Sequence, residues 1–159
     1  MHTALNTLAK QFGAALKTRH WKLVTAESCT GGGLAYWITN IPGSSDWFER
    51  GFVTYSNEAK EEQLGVPATL IKKFGAVSEE VARAMAEGAL KHSHAQVSIA
   101  ITGIAGPEGG TAEKPVGTVW LAWAGTTFQT QSKLNQFTGD RKKIREKTIE
   151  TALSIIFSL

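Results

Sequence analysis

The sequence predicts a three-layer α/β/α sandwich on a mixed, mostly parallel sheet of about five strands. Three observations predict it. Helical and strand-like patterns alternate through the first hundred residues, which implies parallel strands joined by right-handed crossovers. Two later strand patterns are joined too tightly for a crossover, so they should pair antiparallel. A chain of 159 residues can bury a real core as one domain, and neither a repeat nor a low-complexity stretch divides it.

The elements follow in order. Leu5, Leu8, Phe12, Ala15 and Leu16 make a helical stripe across residues 3–19. "KLVTAES" reads as a strand, and "TGGGLAYWITNI" as a helix with Thr30 as its candidate N-cap. "PGSSDWFERG" reads as a turn-rich loop, and "FVTYS" as a second short strand. "NEAKEEQLG" is a helix closed by Gly65, and "PATLIKKFG" is a short helix after it. Ser78 and Glu80 open "SEEVARAMAEGALKHS", with Val81, Met85, Ala89 and Leu90 on its inner face. "QVSIAITG" is a β-branched strand bounded by glycine. "IAGPEGGTAEKPVG" is a long glycine-rich loop, and such loops inside compact domains tend to be functional. "TVWLAWAG" and "TFQTQSKLNQF" are the antiparallel pair. Residues 140–157 form a last helix, with Ile144, Ile149, Leu153 and Ile156 inward.

Composition narrows the function classes. Apolar residues make up 42% and charged residues 19%, a globular balance. No apolar run reaches the roughly 20 residues of a membrane helix, and the N-terminus lacks a signal-peptide layout. With a single cysteine no internal disulfide forms, and the expected compartment is the cytoplasm. The net charge is +3, but the basic residues are dispersed. The densest group, "DRKKIREK", contains two acids and reads as a solvated helix face. A small anionic ligand suits that surplus, and no groove-reading motif argues for nucleic acid.

Open α/β sheets bind ligands beyond the carboxyl ends of their strands. Three polar turns follow strands here: "ESCTGGG", "YSNEAK" and "TGIAGPEGG". Parallel strands would gather all three at one edge. The first turn, with Ser28, Thr30, Gly31 and Gly32, reads either as an anion cradle at a helix start or as a tight helix–strand contact. Thr102 and Gly103 end the third strand, where a hydroxyl and a bare backbone could meet a ligand. Ser44 and Ser45 are nucleophile candidates, with Lys60 as a possible base and Tyr55 as a relay or a support for that lysine. Cys29 is a rival nucleophile, although a small buried hydrophobe at a strand end is commoner. The four histidines read as surface residues, and no metal-ligand spacing is evident. Asp140 should cap the last helix, and Arg141 and Arg145 stand one helical turn apart, suited to phosphate.

Six blocks in order, "TAESCTGG", "GSSDWFERGFVTYSNEAK", "GAVSEEVA", "TGIAGPEGG", "KPVGTVW" and "GDRKKIR", resemble the nicotinamide-nucleotide amidase family, also called the CinA C-terminal domain family. The match runs from about residue 4 to residue 157. The resemblance implies an α/β/α sandwich and hydrolysis of the carboxamide of nicotinamide mononucleotide to nicotinate mononucleotide and ammonia, in pyridine nucleotide salvage. It implies no metal or organic cofactor and a homo-oligomer; composition and motifs add the expectation of neither nucleic acid nor membrane as partner. It assigns the nucleophile to Ser45, the general base to Lys60 and an assisting role to Tyr55. Ser28 and Thr102 match residues kept around the ligand. Arg141 matches a phosphate or ribose contact, with Arg145 as a weaker candidate. The competing reading is a nucleotide-binding paralogue without catalysis.

Overall fold

The computed structural model describes residues 2–159. Its sheet has five strands: β1 (Leu23–Glu27), β2 (Phe48–Val53), β3 (Val97–Gly103), β4 (Thr118–Gly125) and β5 (Gln131–Gln136), in the order β2-β1-β3-β4-β5. β1 pairs parallel with both β2 and β3, whereas β3–β4 and β4–β5 are antiparallel. The mixed sheet is as expected, but parallel and antiparallel pairings are equal in number. The register sets Glu27 opposite Val53 on one side and Ile101 on the other. The residues just beyond these three strands therefore share one rim.

The two faces of the sheet carry different side chains because strand residues alternate. Leu23, Ile99, Ile101, Val119 and Leu121 face one layer, formed by α1 (His2–Thr18), α2 (Gly33–Thr39) and α6 (Arg141–Ser154). Phe12, Leu16, Leu34, Ile38 and Leu153 fill that layer's core. Val24, Ala26, Ala100, Ala122 and Ala124 face the other, formed by α3 (Asn57–Leu64), α4 (Ala68–Phe74) and α5 (Glu79–Lys91). Small residues on both surfaces bring α5 close to the sheet, since it presents Ala82, Ala86 and Ala89. α3 approaches α5 so tightly that a Cβ on Gly88 would lie 2.0 Å from the Leu64 carbonyl oxygen. Among the described residues no helix is long and apolar enough to cross a membrane.

Two caps expected from sequence are in place: Ser78 Oγ accepts from Val81 N–H, and Asp140 Oδ1 accepts from Lys143 N–H. Two boundaries differ. β2 begins at Phe48, four residues before the expected strand, so the last four residues of "PGSSDWFERG" are sheet. α2 begins at Gly33, and Thr30 does not cap it. The Thr30 hydroxyl is buried and donates to Glu27 Oε1 at 2.6 Å. A carboxylate inside the turn outcompetes the local cap.

Candidate active site

The rim beyond β1, β2 and β3 brings together Ser28, residues 54–56, Lys60 and Gly106. Lys60 lies on the first turns of α3, whose start is fixed by Ser56 Oγ accepting from Ala59 N–H. That helix turns Lys60 inward, and the side chain is only 1% exposed. Its Nζ lies 3.1 Å from Ser28 Oγ, 2.9 Å from Thr54 O, 3.2 Å from Tyr55 O and 3.5 Å from Ser56 O. No carboxylate lies within ion-pair distance of it among the described residues. Burial without a counter-charge lowers its pKa below the usual lysine value. The site therefore disfavours the ammonium relative to water and sets the amine against a serine hydroxyl. Two amine hydrogens can go to backbone carbonyls, leaving the lone pair for Ser28.

The turn that carries Ser28 is held from inside on two sides. Glu27, 1% exposed, accepts from Leu34 N–H at 2.8 Å, Ala35 N–H at 3.0 Å and the Thr30 hydroxyl. The N-terminal N–H groups of α2 are thus occupied by the chain's own carboxylate. The anion cradle expected there is filled, so a ligand phosphate does not have that place. Arg145 Nε donates to Cys29 O and its Nη2 to Thr30 O, both at 3.1 Å. Gly31 and Gly32 have φ values of 60° and 99°, left-handed conformations that favour glycine and bend the chain from β1 into α2. The glycine run serves a tight strand-to-helix turn that presents Ser28.

The other expected residues divide. Tyr55 is 58% exposed, and its phenol oxygen accepts from Arg141 Nη2 at 3.0 Å. Its carbonyl, not its phenol, meets Lys60. Arg141 Nη1 donates to Gly106 O at 2.7 Å, which ties α6 to the glycine loop. Thr102 is buried and donates to Ala76 O at 2.8 Å, so its hydroxyl proton is spent inside the protein. Gly103 is needed for sheet packing, since a Cβ there would lie 2.7 Å from Val119 Cγ2. Arg145 is engaged with two carbonyls rather than turned to the rim. Cys29 packs in the core, and desolvation pushes its thiol up to about 11. It remains a protonated thiol near neutrality, which removes it as a nucleophile.

Ser45 is not at this rim. It sits in a 3-10 turn, Ser44–Asp46, immediately before β2. The six residues of β2 then run to the rim that holds Lys60, a separation of roughly 20 Å at strand rise. Ser45 and Lys60 therefore lie at opposite ends of one strand and cannot share a proton. Asp46 beside it pairs instead with Lys17 of α1. The hydroxyl that meets Lys60 is Ser28, which the sequence pattern marked only as a ligand contact. One signal could have found it: Ser28 and Lys60 both follow strands, whereas Ser45 precedes one.

Among the described residues no cluster of three or more His, Cys, Asp or Glu is disposed to hold a metal ion. The chain matches the family model described as CinA C-terminal domain over residues 5–159. It is 50% identical to the nicotinamide-nucleotide amidohydrolase PncC of Pseudomonas putida, over 98% of this chain and 96% of that one. The Escherichia coli K12 protein of the same name is also 50% identical, over 96% of this chain and 93% of its own. The competence/damage-inducible protein CihA of Agrobacterium tumefaciens superposes with a TM-score of 0.95 at 42% identity, covering 98% of this chain and 94% of that one. A family-model match along nearly the whole chain, an identity of one half, and a shared fold agree: this chain belongs to the CinA C-terminal domain family.

Proposed function

We propose that the chain is a nicotinamide-nucleotide amidohydrolase that converts nicotinamide mononucleotide to nicotinate mononucleotide and ammonia, with Ser28 as nucleophile and Lys60 as its base. The relatives' activity supports the reaction. The single observation that carries the mechanism is the 3.1 Å contact between a buried, uncompensated lysine and a serine on a strand-end turn.

A serine hydroxyl attacks an amide only when its proton has somewhere to go. Neutral Lys60 accepts that proton as Ser28 Oγ bonds to the carboxamide carbon. The tetrahedral oxygen needs a donor, and the N–H of half-exposed Gly32 is one candidate, having no acceptor among the described residues. The C–N bond then breaks, and Lys60 returns its proton to the departing nitrogen, so the leaving group is ammonia. Water cleaves the resulting ester with Lys60 again as base, releasing the carboxylate and restoring Ser28. Arg141 is the phosphate contact. It is held by two neutral acceptors, Gly106 O and Tyr55 Oη, and among the described residues no carboxylate lies within ion-pair distance of it. Lys142 and Lys143 follow it at the positive end of the α6 dipole, where cations are disfavoured and anions welcome.

Ammonia release from nicotinamide mononucleotide tests the reading. Ser28→Ala and Lys60→Ala should each lower kcat by about a thousandfold or more, while Ser45→Ala keeps the wild-type rate. An active Ser28→Ala variant beside a dead Ser45→Ala variant would sink the Ser28–Lys60 pair. A wild-type protein that binds the nucleotide but releases no ammonia would leave a binding protein instead.

A further inference from the structure

Tyr55 is 58% exposed while its neighbours Thr54 and Lys60 are buried. An aromatic side chain so placed would ordinarily be free to swing, yet this one is held at its hydroxyl, and its backbone is held at the carbonyl. Arg141 Nη2 donates to Tyr55 Oη at 3.0 Å, and Arg141 is itself fixed to Gly106 O at 2.7 Å. At the other end the Tyr55 carbonyl lies 3.2 Å from Lys60 Nζ and 3.5 Å from Ser28 Oγ. One residue thus spans from the nucleophile to the guanidinium. A ligand with its carboxamide at Ser28 and its phosphate at Arg141 would pass along Tyr55, whose exposed ring lies between the two. In the proposed substrate the group next to the carboxamide is a pyridinium ring, flat and positively charged, and the ribose joins it to the phosphate. A cation over a phenol face is drawn to the ring's quadrupole, and two flat rings stack.

We propose that Tyr55 is the platform on which the substrate's pyridinium ring lies, and that it selects a charged aromatic ring instead of relaying a proton. The inference rests on the amidase reading given above. A relay would need the phenol oxygen beside Lys60, whereas its hydrogen-bond partner is Arg141, a group that does not give up its proton in proteins. The hydroxyl sets the ring's attitude, and the ring does the selecting.

Two variants separate the roles, and the exposure of Tyr55 means neither disturbs the core. Tyr55→Phe keeps the platform and removes the hydroxyl that helps hold Arg141, so KM on nicotinamide mononucleotide should rise severalfold while kcat falls far less than in Lys60→Ala. Tyr55→Leu removes the platform, so KM should rise about three- to thirtyfold with kcat nearly kept. A Tyr55→Phe kcat as low as that of Lys60→Ala would assign the phenol to proton transfer and overturn the proposal. An unchanged KM in Tyr55→Leu would overturn it too. Calorimetric binding supplies a readout that does not depend on turnover. Wild-type protein should bind nicotinamide mononucleotide more tightly than its reduced dihydropyridine form, which keeps the phosphate but loses the ring charge. Tyr55→Leu should abolish that preference. Equal binding of the two forms by wild type defeats the platform whether or not ammonia is released, whereas missing ammonia with the preference intact defeats only the amidase reading.

Discussion

Lys60 is the residue on which the site's chemistry turns, and its environment makes its behaviour with pH predictable. Folding lowers its pKa because burial disfavours the ammonium. The rate should therefore climb with pH through an apparent pKa below the ordinary lysine value of 10.5, which a kcat/KM profile on nicotinamide mononucleotide would reveal. Stability carries the same signature. Below pH 10.5 the unfolded chain binds more protons at this site than the folded one, so the group's contribution to stability rises with pH. The penalty is complete below the lowered folded pKa and gone above the unfolded one. The difference in Tm between wild type and Lys60→Met should move in favour of wild type from pH 7 to pH 10. A constant difference would show that Lys60 is charged and comfortable in the folded protein.

Among the elements, α2 shows how a short helix is made to hold the turn that carries Ser28. Seven residues with no side-chain cap would not hold a helix in water. Glu27 holds this one by taking two of its N-terminal N–H groups and the Thr30 hydroxyl. Because Glu27 directly precedes Ser28, the same contacts fix the serine. Glu27→Ala leaves those donors buried without partners, at a cost of about 3 kcal/mol, which lowers Tm by roughly 6–12 °C for a chain of this size. Thermal unfolding checks the size of the effect, and kcat should fall with it because the Ser28 turn loosens. A variant that keeps both Tm and kcat would show that Glu27 holds nothing. At the other end of the chain, α6 works in the opposite sense. Its first turn has three cations and no acid, an arrangement that weakens a helix and suits an anion.

At the scale of the molecule, three parallel strands deliver Ser28, the residues that cradle Lys60, and Gly106 to one rim, and α6 closes it through Arg141. If Arg141 meets the phosphate, Arg141→Met should raise KM for nicotinamide mononucleotide by about tenfold or more and change that for nicotinamide riboside far less. Equal losses on both substrates would make Arg141 a brace for the loop and nothing else. Much of this was legible in the sequence. The alternation of patterns predicts the sandwich, Ser78 and Asp140 predict their caps, and the strand-end turns predict the rim. The start of β2 was not legible, because Phe48–Gly51 lies in an edge strand where glycine and charge look like loop. That misplaced boundary hid the fact that Ser45 precedes the strand by one turn.

The sequence by itself determined the layers, the order of elements and the set of polar residues near the chemistry, because periodicity and turn residues act over a few positions. Only the tertiary structure decided which hydroxyl meets Lys60, since a pair 32 positions apart is joined by sheet register. It also decided that Glu27 fills the helix start, that Arg145 holds carbonyls and that the Tyr55 phenol turns to Arg141. Each of these depends on partners distant in the chain competing for the same buried groups, and a buried donor or acceptor takes whichever partner the packing brings closest.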